Sequence, residues 1–113
     1  MKLSKIILLG MLACTSLTAF AEFTVIVRAH EVALSDFRAP ASANGITAFK
    51  PCRQCALLTV RVTPDTHYVL NNKIVQLADF RTALSTVTSR ENETVIVNHH
   101  LKSDTVTAIS ITL

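Results

Sequence analysis

The sequence predicts a mainly β (α+β) fold: a small antiparallel sheet or part-closed barrel of about six or seven strands with one helix, behind an export signal. Three observations carry that expectation. Short runs rich in β-branched residues alternate in polarity, as in Leu57-Leu58-Thr59-Val60-Arg61-Val62 and Thr94-Val95-Ile96-Val97. Turn-forming residues separate them: Asn44-Gly45, Pro64-Asp65, Asn71-Asn72 and Ser103-Asp104. One segment alone, Leu77 to Ser89, repeats its apolar residues at spacings of three and four.

The first 21 residues have the three parts of a secretory signal. Lys2 and Lys5 form a positive start, an apolar run begins at Ile6, and Ala19-Phe20-Ala21 supplies small residues for a peptidase. Cleavage leaves residues 22–113 as a single small β-rich domain beginning at Glu22. A retained anchor is the alternative, but Thr15, Ser16 and Thr18 shorten the apolar run below the roughly 20 residues a span requires. A second alternative is lipid anchoring through Cys14, in Met11-Leu12-Ala13-Cys14, although the residues after Cys14 stay apolar instead of forming a polar tether. The expected location is the bacterial periplasm, with no membrane span in the mature form. Loss of Lys2 and Lys5 lowers the formal charge from +3 to +1, which removes the electrostatic case for a nucleic-acid partner. Gly45 is then the one glycine left, so a glycine-rich phosphate loop is excluded.

The elements follow in order. Phe23 to Ala29 reads as a strand with Phe23, Val25, Val27 and Ala29 on one face, and His30 to Asn44 as a long connection. Ile46 to Lys50 is extended. Leu57 to Val62 is the clearest central strand, with Leu58, Val60 and Val62 facing one way, and Pro64-Asp65 ends it. Tyr68–Leu70 and Ile74-Val75 form a hairpin about Asn71-Asn72, since asparagine tolerates positive φ. The helix at Leu77 to Ser89 presents Leu77, Phe80, Leu84 and Val87, with Asp79 and Arg90 suited to its dipole. Thr94–Leu101 and Thr105–Leu113 are the last strands. In the former, Val95, Val97, His99 and Leu101 share the more apolar face, so His99 is expected inward and His100 outward.

Some of these runs carry a resemblance. Val62-Thr63-Pro64-Asp65-Thr66, Asn71-Asn72-Lys73 and Leu77-Ala78-Asp79 resemble the hairpin region of small exported bacterial β-barrel domains. Val97-Asn98-His99-His100-Leu101 through Val106-Thr107-Ala108-Ile109 is similar to their last two strands. The resemblance covers about half of residues 22–113 and departs where those domains carry a glycine turn and this chain its helix. It implies a fold and imports no catalytic residue.

Cys52-Arg53-Gln54-Cys55 is the one motif with sharp chemical content. Covalent haem is excluded because Ala56, not histidine, follows the second cysteine. Redox catalysis wants the first thiol at a helix N-terminus, whereas strands are expected on both sides here. A metal site would take Cys52, Cys55 and an imidazole, from His99 in preference to His100 or His67. A structural Cys52–Cys55 disulfide suits an exported small domain with an even number of cysteines left. No serine sits in a nucleophile-elbow motif, and no carboxylate pair has a spacing that demands acid–base work. Asn92-Glu93-Thr94 is a glycosylation triplet of the kind common by chance. Lys50, Arg53 and Arg61 are expected to gather near the cysteine turn.

The strand expected after Cys55 favours a non-enzymatic, cofactor-free binding or structural module that meets a protein or envelope component through a sheet edge or the Cys52 turn. The alternative is a thiol-redox or metal protein using Cys52 and Cys55 directly.

Overall fold

The computed structural model describes residues 26–113; the signal segment, Cys14 and the start of the first expected strand lie outside them. Seven strands and one α-helix follow in the order β1 (Val27–Ala33), β2 (Phe37–Arg38), β3 (Ile46–Phe49), β4 (Leu58–Leu70), β5 (Lys73–Val75), α1 (Leu77–Ser85), β6 (Thr94–His100) and β7 (Thr105–Ile111). They form one sheet in the order β1-β6-β7-β4-β3-β2, with β5 paired to β4. All pairs are antiparallel except β4 with β7, which run parallel. The expected mainly β domain with one helix is the observed one, as an open half-barrel.

The curl of the sheet comes from its first segment. A single 3₁₀ turn at Leu34–Asp36 bends the chain between β1 and β2. Ahead of the bend the chain pairs with β6; beyond it the chain pairs with β3. One segment thus joins both ends of the sheet at one rim, and among the described residues β1 has no partner on its other side.

The inward rows make one core: Val32, Leu34, Phe37, Phe49, Val60, Val62, Tyr68, Val95, Val97, Val106, Ile109 and Ile111 are buried, with Phe80 and Leu84 closing it from α1. Leu77 and Val87 pack at its margin, as the helical spacing predicts. The helix stops at Ser85, short of the expected Ser89. Ser85 Oγ donates to the Thr82 carbonyl at 2.6 Å and Thr86 Oγ1 to that of Ala83 at 2.7 Å, so hydroxyls occupy acceptors that a further turn would use. Arg90 still serves the C-terminus, donating from Nη1 to the Leu84 carbonyl at 2.9 Å.

Two local features differ from expectation. First, β1 extends to Ala33, through residues expected to form a connection, and its inward face carries His30 and Val32. The Val27 and Ala29 face is the outer one, with Val27 43% exposed. Second, Pro64-Asp65 does not end a strand. Opposite β7, Val62 pairs with Val106 and His67 with Ala108, so Thr63–Thr66 bulge out against the single residue Thr107. Proline, lacking an N–H, is tolerated at such a bulge. The Asn71-Asn72 turn has the expected form, with φ of 51° and 68°.

Candidate binding edge, disulfide turn and histidine cluster

The free edge of β1 can be worked out group by group. In an antiparallel pair, residues that exchange hydrogen bonds alternate with residues that do not. Leu34 N donates to the Glu93 carbonyl and Leu101 N to that of Ile26, each at 2.8 Å. Both bonds lie in the register that pairs Val27 with His100, so even-numbered β1 residues turn their backbone groups toward β6. Val27, Ala29 and Glu31 therefore turn N–H and C=O to the free side, whereas Ala33 caps the 3₁₀ turn with its carbonyl. Among the described residues no other strand pairs there, and no turn or loop bond reaches those groups. Exposed Ile26 and Val27 lie at one end of this edge, and exposed Ile96 lies across from Glu31 on β6.

Cys52 and Cys55 are joined to each other, with Cα atoms 5.0 Å apart. Cys55 N donates to the Cys52 carbonyl at 3.1 Å, so disulfide and backbone close the same turn between β3 and β4. The cationic cluster expected around it does not form. Arg53 borders Ser35, Asp36 and Glu91, whereas Arg61 lies with Thr63, Asp65 and His67 on the outer face of β4 and β7. Alternation explains this: Arg61 points away from the core beside Val60 and Val62, and the turn folds toward Asp36 instead.

His99 lies on the inward row, its side chain 12% exposed, with Nε2 2.7 Å from Asp104 Oδ1. Its ring is 6.2 Å from that of His30, which in turn sits 5.2 Å from Phe49. His30 Nε2 is buried with no hydrogen-bond partner. Burial, then the neighbouring His99, then Arg28 hold the His30 imidazole below its ordinary pKa, favouring the neutral ring. His30 entered no sequence argument, because the strand was expected to end before it. His100 is engaged in the next turn: Ser103 Oγ lies 2.8 Å from its Nδ1 and 2.7 Å from Thr105 Oγ1, and Ser103 N donates to the same Nδ1 at 3.2 Å. That arrangement braces a turn in which Asp104 holds a φ of 56°.

The structure does not bring Cys52, Cys55 and His99 together as a ligand set. The two sulfurs are bonded to each other, and His99 faces Asp104. Among the described residues no three His, Cys, Asp or Glu side chains gather to hold a metal ion. None of the described helices is long and apolar enough to cross a membrane. No protein-family model, curated protein or solved structure matches the chain.

Proposed function

We propose that the chain is an exported, non-enzymatic binding module of the bacterial periplasm, akin to the small β-barrel domains its sequence resembles, and that β1 is its binding element. The ligand is an extended polypeptide segment of an envelope or secreted protein, added as a further strand. The observation that carries this reading is the row of backbone groups at Val27, Ala29 and Glu31, which have no partner among the described residues. Such an edge is a template for strand addition, where main-chain bonds give affinity and alternate side chains give specificity. The signal-like residues 1–21 and the Cys52–Cys55 disulfide both accord with an oxidising compartment outside the cytoplasm.

Two experiments test it. N-terminal sequencing of the protein from its host should begin at Glu22, and a lipid-modified Cys14 would overturn that part. For the edge, a neutral Thr-Val repeat of seven residues is titrated by NMR. Amides of Val27, Ala29 and Glu31 should become protected, and Ala29→Pro should abolish binding while leaving the fold intact, because that N–H faces outward. His30→Pro should instead damage the β1–β6 ladder. Unchanged amides with every peptide would sink the edge reading.

A further inference from the structure

Beside the β1 edge, the outer face of the sheet holds a groove of about 420 Å³ lined by Glu31, Asn92, Glu93, Thr94, Ile96 and Ser110, among others, and by no basic side chain. Neither carboxylate has an ion-pair partner among the described residues. Glu31 stands on the outward row of β1 with Ala29 and Val27, so the edge reads, in order, as acid, small, apolar. Any strand added there would set its own outward side chains against this row, with directly opposed Cβ atoms about 5 Å apart.

We propose that the segment captured by β1 carries a lysine or arginine opposite Glu31, followed two and four residues later by apolar side chains over Ala29 and Val27. The spacing follows from antiparallel addition, the stronger of the two pairings. It rests on β1 being the binding edge and adds the chemistry that selects the partner. A basic residue at that place would neutralise Glu31 at the mouth of an acidic groove. A second copy of this chain fits less well. The outward row of β1 contains no cation, so self-pairing would bring two acidic grooves together with nothing to neutralise them.

The test uses two labelled peptides, Thr-Lys-Thr-Val-Thr-Val-Thr and the same peptide with glutamate for lysine, against the protein and its Glu31→Lys variant. Glu31 is exposed, so the variant should keep its circular dichroism spectrum and melting temperature. The lysine peptide should bind the unaltered protein about tenfold tighter than the glutamate peptide, and Glu31→Lys should reverse the order. Equal binding of both peptides, with the β1 amides protected, would overturn the charge proposal and leave the edge reading standing. No binding and no protection would overturn both. A sedimenting dimer whose β1 amides are protected without peptide would assign the edge to a second copy and likewise overturn the proposal.

Discussion

Thr66→Val probes the bulge that lets β4 run on past Pro64. Thr66 is buried at 7% exposure, and its Oγ1 makes two bonds: it donates to the Val106 carbonyl at 2.6 Å and accepts from Thr63 N at 3.0 Å. Valine has nearly the same shape, so the substitution removes hydrogen bonding and little packing. It strands the carbonyl of Val106, a residue only 1% exposed, at a cost of about 1–3 kcal/mol. Thr63 is half-buried, so its N–H can recover a water and adds less. The sum should be about 2–3 kcal/mol, a substantial fraction of the roughly 5–13 kcal/mol that holds a domain of this size together. The melting temperature should fall by roughly 10–20 °C. Urea unfolding followed by far-ultraviolet circular dichroism measures the loss, with Thr66→Ser as the control that keeps the oxygen and drops a methyl. A valine variant as stable as the serine variant would show that these bonds do not hold the parallel β4–β7 pair.

Phe80 is fully buried and packs its ring 5.5 Å from that of Tyr68, so Phe80→Ala should cost about 3–5 kcal/mol in the same urea assay; an unchanged midpoint would mean that α1 does not close the core. Replacing Cys52 and Cys55 together by serine should cost only about 2 kcal/mol on the chain-entropy account of a ring this small, and the unreduced protein should weigh two hydrogens less than the reduced one. Tyr68 Oη is buried without a partner, so Tyr68→Phe should be neutral or stabilise by about 1 kcal/mol, and a clear loss would reveal a bond to that hydroxyl. His30 has its pKa depressed by burial, so its contribution to stability is full above the unfolded value near 6.5 and is lost as pH falls from there through the folded value; melting curves between pH 7.5 and about 5 should show a fall that His30→Phe reduces.

The sequence made the strands legible wherever alternation and β-branching coincide. Val95 and Val97 are inward, and so are Val60 and Val62, as their spacing predicts. The Asn71-Asn72 turn and the Phe80 face of the helix are of the same kind, because local chemistry alone decides them. What alternation could not show is where a strand continues through a polar break. Thr63 to Thr66 looks like a terminus because its pairing is rescued by one long-range bond, from Thr66 to Val106, 40 residues away. The inward face of β1 was hidden for a related reason: it contains Arg28 and His30, and a cation and an imidazole do not read as core. Their position depends on pairing with β6, some 70 residues later. The candidate edge was legible only as a class of site, since which strand ends a sheet is a property of topology.

The disulfide turn begins where the β2–β3 ladder ends. The β2–β3 ladder pairs Phe37 with Phe49 and Arg38 with Ala48, and Lys50 N extends it by one bond to the Asp36 carbonyl at 3.1 Å. Continued in that register, residues 51–55 would run opposite Ser35 to Glu31 and meet the backbone groups of the even-numbered residues, the side that β6 takes on β1. Both partners leave the ladder at the same place. Leu34–Asp36 enter a 3₁₀ turn whose shape suits no ladder, and residues 51–55 enter a turn of their own. Cys52 and Cys55 then hold the departing segment in its own turn, by the disulfide and by the bond between their backbones. The small ring adds little to global stability, yet it fixes the turn at which the chain passes from β3 to β4. On the proposed function, Glu31, the one charge on the outward face of the β1 edge, restricts which outside strand can take that edge.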